Sequence, residues 1–193
     1  MTNAVPVHKL TLPEFIEWEK SQVDRHEFID GEIFAMAGGS PRHNKLTSNL
    51  HMVLGNMLRG TPCDILESNQ RLSVATESGY VYPDLSIVCG PAEFETIGQG
   101  LLNPTVLLEV LSKRTEGFDR GDKFRLYRDR PTLSDYLLVS QRTALIEHYQ
   151  RQESRWLLSE AVSGSKLTLT GGHTFAVDDV YDGVWRFPTD DES

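Results

Sequence analysis

The sequence predicts an α/β or α+β layer built on one central sheet, and three observations predict it. An amphipathic helical pattern opens at Ser40, the segment 105–111 is apolar on both strand faces, and short alternating strands fill the last third of the chain. The 193 residues are 39% apolar and 24% charged, the makeup of a globular chain of one domain, taken as 1–193 with its core over about 10–184 and an acidic tail over 185–193. A chain of this length buries roughly 70% of the surface it exposes when unfolded, so any metal would serve chemistry rather than stability.

Leu12 to Lys20 reads as a short helix, with Thr11 as N-cap and Pro13 in the first turn. Glu27 to Met36 reads as two strands joined by Asp30-Gly31, a dipeptide suited to the positive φ angles of a tight hairpin turn. Ser40-Pro41 then opens the most regular helix. Leu46, Leu50, Val53, Leu54, Met57 and Leu58 recur at helical spacing until Gly60, and His43 lies in its first turn on the inward side. Cys63 to Val74 and Tyr80 to Cys89 read as strands separated by the polar loop 75–79. Thr105 to Leu111, apolar on both faces, belongs in the middle of a sheet. Asp119 to Arg128 reads as a helix, and 136–139, 144–151, 156–161 and 166–170 as strands of a meander.

Composition excludes several classes. No run reaches the roughly 18 apolar residues of a membrane-crossing helix, and Met1 to Leu10 lacks the basic and apolar regions of a secretion signal. The two cysteines, Cys63 and Cys89, sit in apolar strands without metal-ligand spacing and are expected to be reduced, which points to a cytoplasmic setting. The formal charge of −9 argues against a passive nucleic-acid coat. The charges are unevenly spread, however: seven basic residues fall within 113–130, and acids cluster from Asp178 onward.

Two carboxylates stand out. Asp84 directly follows Pro83, which cannot donate to a strand ladder, and a turn is the ordinary reason for that pair. Glu109 shares the face of Leu107 and Leu111, where an unpaired ionised carboxylate costs several kcal/mol unless it is paired, protonated or bound to a cation. Two acids on neighbouring strands are a usual way of holding Mg²⁺, which prefers oxygen ligands and retains waters. A lysine near both could stabilise charge developing on a phosphoryl group, and Lys113 and Lys123 are both within reach. Lys123 has Asp119 and Tyr127 four residues to either side on its helical face. Asp64 and Glu67 alternate to opposite faces of their strand and are set aside. Tyr80, Tyr82, Trp18, Trp156 and Trp185 read as core or interface aromatics rather than base-stacking platforms.

In order along the chain, Glu27-Phe-Ile-Asp-Gly-Glu32, His43, Tyr82-Pro-Asp-Leu-Ser-Ile-Val-Cys89, Leu108-Glu-Val-Leu-Ser112, then Asp119, Gly121, Lys123 and Tyr127, and finally Asp135-Tyr-Leu-Leu-Val139, resemble the Uma-two family. That family belongs to the PD-(D/E)XK restriction-endonuclease-like superfamily. The resemblance implies a central mixed sheet flanked by helices, with an N-terminal helix and hairpin and a C-terminal β-meander. It also implies an endonuclease that hydrolyses phosphodiester bonds in DNA with Mg²⁺ or Mn²⁺. Asp84 and Glu109 would be the metal ligands, joined by the backbone carbonyl of Val110. Leu111 stands where the superfamily pattern has its lysine, so the resemblance passes that role to Lys123, with Lys113 as runner-up, and it adds Glu32, or else Glu27, and His43 to the site. A homodimer is expected where both strands of a duplex are cut. The alternatives are a catalytically silent binding module with the nuclease fold, and a His- and carboxylate-liganded metallohydrolase acting on a small phosphoester.

Overall fold

The computed structural model describes residues 10–36, 38–74 and 79–189. Its centre is a six-stranded sheet in the order β10-β9-β8-β7-β6-β3. These strands are β3 (Cys63–Glu67), β6 (Leu85–Cys89), β7 (Val106–Val110), β8 (Asp135–Val139), β9 (Leu145–Gln152) and β10 (Arg155–Val162). All neighbours are antiparallel except β7 and β8, so the sheet is mixed, with doubly apolar β7 in its interior as its sequence requires.

Helix α2 (Pro41–Leu58) covers one face of this sheet. Ser40 Oγ caps it by accepting the His43 backbone N–H at 3.1 Å, with Pro41 beside it in the first turn. Leu46, Leu50, Leu54 and Leu58 pack on Leu85, Ile87, Leu108 and Val110. Each buried leucine contributes about 2 kcal/mol. The opposite face carries Leu107, Leu111, Tyr136 and Leu138.

Above that second face lies a separate four-stranded sheet in the order β2-β1-β5-β4, made of β1 (His26–Ile29), β2 (Glu32–Ala35), β4 (Leu72–Val74) and β5 (Gly79–Val81). Asp30 and Gly31 turn the β1–β2 hairpin with φ of 51° and 86°, the left-handed values expected of that dipeptide. Helix α1 (Leu12–Glu19) buries Phe15 and Ile16 against Phe28 and Tyr80 of this sheet. A parallel pair needs a crossover, and residues 111–134 supply it between β7 and β8. It contains α3 (Glu116–Phe118), a π-helical turn (Asp119–Lys123) and α4 (Phe124–Arg128), one continuous helical path in place of the simple helix expected over 119–128. The chain ends in a two-stranded sheet, β11 (Lys166–Thr168) with β12 (Thr174–Ala176), then α5 (Val177–Val180) and a 3₁₀ turn (Val184–Arg186).

Four sequence expectations are corrected. The run 80–89 is two strands in two different sheets, because Pro83 cannot donate to a ladder and the chain leaves β5 there to enter β6. The run 63–74 likewise divides between the two sheets around a turn at 68–69. The 166–170 segment pairs with β12 in its own hairpin rather than extending the meander. Cys63 and Cys89, expected to be free thiols, form a disulfide: they are direct cross-strand partners of β3 and β6, with Cα atoms 4.0 Å apart, a proximity that alternation within each strand does not reveal. The expectation of a cytoplasmic setting loses that support. Among the described residues no helix is long and apolar enough to cross a membrane. Of the expected loop at 75–79, residues 75–78 lie outside the described residues, as do the last acidic residues, 190–193, while Gly79 opens β5. The start of the expected tail is held in place, since Phe187 and Pro188 offer their carbonyls to Arg42.

Candidate active site

Pleating places Val106, Leu108 and Val110 toward α2, and so Glu109 toward the crossover and the second sheet. The crossover lays its π turn over that carboxylate. Asp119 and Lys123, at opposite ends of the turn, are both buried. Insertions of this kind in helices recur at functional sites. Lys123 Nζ lies 3.0 Å from Glu109 Oε1, 3.1 Å from Glu27 Oε1 of β1 and 3.6 Å from Asp119 Oδ1. One turn further on, Tyr127 donates its hydroxyl to Glu109 Oε1 at 3.1 Å. Glu27 Oε1 also accepts the Tyr82 N–H at 3.2 Å, which ties the hairpin to the segment leading into Asp84.

Asp84 occupies the bend between Pro83 and β6. Its Oδ2 accepts the Val110 backbone N–H at 2.7 Å and lies 3.1 Å from His43 Nε2. One carboxylate thus joins the start of β6, the end of β7 and the first turn of α2. Among the described residues, Asp84 Oδ1 and Glu109 Oε2 accept no hydrogen bond.

Burial pushes the Glu109 carboxyl well above its usual range; Lys123 opposes the shift, while Asp119, Asp84 and Glu27 add to it. Burial also raises Asp119, with Lys123 and a hydrogen bond from Thr115 in opposition. Burial alone would lower the Lys123 ammonium, but Glu109, Glu27 and Asp119 outweigh it and hold Lys123 well above its ordinary value. The site therefore sets one firmly charged ammonium among four carboxyl groups, two of which, Glu109 and Asp119, are disfavoured as anions by burial in a place largely withdrawn from water.

The structure brings together Asp84, Glu109, Lys123, His43 and the backbone of Val110. Glu32 stays outside. It lies on the hairpin face of Glu27, but it pairs with Ile29 beside the turn and is exposed, whereas Glu27 pairs with Phe34 farther along β1. Lys113 is exposed on the loop that follows β7. Asp119 and Tyr127 are the site residues to which sequence reasoning gave no part of their own. Their signal was the spacing of four residues on either side of Lys123.

A mixed sheet with acids at adjoining strand ends and a lysine delivered by the crossover defines the restriction-endonuclease-like class. The profile of the Uma2 (Uma-two) family, described as "Putative restriction endonuclease", matches residues 12–186. The chain belongs to that family. It is 37% identical over 183 residues to the uncharacterized protein slr1290 of Synechocystis sp., covering 94% of this chain and 96% of that one. To the uncharacterized protein sll1609 of the same organism it is 39% identical over 153 residues, covering 78% and 86%. The crystal structure of "a putative nuclease belonging to DUF820" from Anabaena variabilis superposes with a TM-score of 0.73 at 15% identity, over 91% of this chain and 99% of that one, which shows a shared fold.

Among the described residues no three His, Cys, Asp or Glu side chains are disposed to hold a metal ion as they stand. The donor set nonetheless suits a hard divalent cation. Asp84 and Glu109 each keep one oxygen without a protein hydrogen bond, and the surrounding carboxylates outnumber the single ammonium.

Proposed function

We propose that the protein is a divalent-metal-dependent endonuclease that hydrolyses phosphodiester bonds in DNA, with Asp84, Glu109 and the Val110 carbonyl as ligands of Mg²⁺ or Mn²⁺. One observation carries this reading: the Lys123 ammonium is buried 3.0 Å from Glu109 and 3.1 Å from Glu27, and Glu27 is tied through the Tyr82 N–H to the segment leading into Asp84. When bound, the cation supplies Lewis-acid polarisation of the phosphoryl oxygen and a more acidic water.

The chain's own residues do the rest. His43 and the Val110 N–H share Asp84 Oδ2, which fixes the carboxylate's orientation and leaves Oδ1 without a hydrogen bond, as an oxygen that would hold the ion. Tyr127 does the same for Glu109 through Oε1. Lys123, kept charged by its three neighbours, is placed to stabilise the negative charge that grows on the phosphoryl oxygens as the water oxygen bonds to phosphorus and the bridging P–O bond breaks. Glu27, rather than Glu32, holds the far side of that ammonium.

A nicking assay on supercoiled plasmid with Mg²⁺ or Mn²⁺ tests the reading. Asp84→Asn and Glu109→Gln should each abolish cleavage in a protein that still folds, and an Asp84→Asn variant that cuts at the parent's rate would overturn the assignment. A second reading, a silent binding module, draws on Leu111 in the superfamily's lysine position and on Glu109 Oε1 being already engaged by Lys123 and Tyr127. It predicts that no divalent metal supports nicking while DNA binding persists.

A further inference from the structure

Arg25 and Arg71 form the wall of a polar cleft of about 410 Å³ that also includes Asn69, Gln70, Tyr82 and Gln99. Both guanidinium groups are held by neutral partners. Arg25 Nη1 donates to Asn69 Oδ1. Arg71 Nε donates to the Tyr82 hydroxyl at 2.6 Å and Nη1 to the Gly98 carbonyl at 3.4 Å, with the guanidinium 5.7 Å and 6.0 Å from the ring centroids of Tyr80 and Tyr82. Neither arginine pairs with a carboxylate among the described residues. Elsewhere Arg120, Arg125 and Arg128 pair with carboxylates, while Arg130 and Arg151 are held by backbone carbonyls. Two acids also border the cleft. Glu19 has both oxygens turned to His26, and Asp24 is exposed at the rim.

The cleft is joined to the catalytic cluster through one residue. Tyr82 gives its side chain to Arg71 and its backbone N–H to Glu27 Oε1, and it stands two residues before Asp84. Two extended residues span at most about 7 Å between Cα atoms, and the Tyr82 side chain that meets Arg71 adds its own length, so the cleft lies within a few nucleotide rises of Asp84. We infer that the Arg25–Arg71 cleft is an anion subsite that takes a backbone phosphate of the nucleic-acid strand engaged at Asp84 and Glu109. Guanidinium groups with unused N–H donors and no carboxylate paired to either of them are suited to bidentate phosphate contact. This rests on the nuclease reading for the identity of the strand, but not for the anion chemistry.

The test measures binding without divalent metal, so that it is independent of cleavage. Fluorescence anisotropy of a labelled DNA duplex should show Arg25→Gln and Arg71→Gln each weakening affinity about threefold to tenfold, with the slope of log affinity against log salt shallower by about one. Arg25→Gln serves as the check, because Arg71 also supports Tyr82. Parent-like thermal unfolding of Arg25→Gln shows that the loss is not one of folding. Thermal-shift titrations with inorganic phosphate and with a nucleoside 5′-monophosphate give the second arm. Loss of nucleotide binding with DNA binding intact would support the anion site and assign it to a free nucleotide. Unchanged affinity and salt slope in both variants, with phosphate and nucleotide shifts also unchanged, would overturn the inference, even if the parent cuts DNA. If no metal supports cutting by the parent but both variants lose binding, the nuclease reading fails and the subsite stands.

Discussion

At the scale of single residues, Lys123 concentrates the consequences. Its ammonium is the counter-charge for Glu109, Glu27 and Asp119, so removing it leaves buried carboxylates uncompensated. In metal-free protein Lys123→Ala should cost about 3–5 kcal/mol of stability, read by urea unfolding. Under the proposed function the same substitution should lower turnover on the order of a hundredfold with little change in DNA affinity, because the contact strengthens mainly in the transition state. Lys113→Ala, on an exposed loop, should instead weaken DNA binding in a salt-dependent way. Exchange of these phenotypes would move the catalytic role to Lys113. Asp119→Asn removes a carboxylate that burial already disfavours, so it should change stability by no more than about 1 kcal/mol. A loss as large as that of Lys123→Ala would show that Asp119 is a principal partner of the ammonium. Glu109 was legible as a site residue because a carboxylate on a doubly apolar strand contradicts its surroundings. Glu27 and Glu32 were not separable from sequence, because both lie on one face of one hairpin and only docking against the crossover distinguishes them.

At the scale of elements, what was legible followed from periodicity, and what was missed followed from pairing between distant segments. The leucine spacing of α2 and the double apolarity of β7 are local patterns with single structural solutions, and both stand where those patterns place them. The second sheet was hidden because β5 and β6 fall in one continuous run of strand-like residues over 80–89, and only Pro83 hints that the ladder stops. The β3–β6 register was equally invisible, and with it the disulfide. Closing a loop between cysteines 26 residues apart restricts the unfolded chain by about 3.5 kcal/mol in the chain-entropy account. Reduction should therefore lower the stability seen in urea unfolding by about that amount, and the oxidised folded protein should show no thiol reactive toward a colorimetric reagent. Two reactive thiols in the non-reduced protein would contradict the pairing. β3 is an edge strand held by β6 on one side and α2 on its face, so its register is where loosening should first be seen by hydrogen exchange.

At the scale of the whole molecule, the net charge of −9 repels a polyanion, yet the basic residues are not idle surface. Arg120 is committed to Glu116 and Glu147, Arg130 to the carbonyl of Leu102, and Lys123 to the site, so part of the basic segment organises the protein itself. The same inward commitment of polar groups holds for the tyrosines. All six phenols are raised above their ordinary value, burial being the leading cause each time. Glu109 adds to the shift of Tyr127 and Tyr136, and Glu95 to that of Tyr80. A group whose folded pKa exceeds its unfolded one contributes stability that is complete below the unfolded value and is lost as pH rises toward the folded one. For tyrosine that loss begins at about pH 10. The folded protein should thus show little phenolate absorbance as pH passes 10, and the signal should then rise together with loss of the circular-dichroism spectrum, because ionisation of the core phenols and unfolding are one event. Tyr149, half-buried where the other five are buried, should supply whatever early phenolate signal precedes the transition, and Tyr149→Phe should remove it. A gradual titration of several tyrosines centred on their ordinary value, with the dichroism intact, would mean that Tyr80, Tyr127 and Tyr136 are open to solvent, and that the packing which buries Glu109 and Lys123 beneath them is not the packing of the protein in solution.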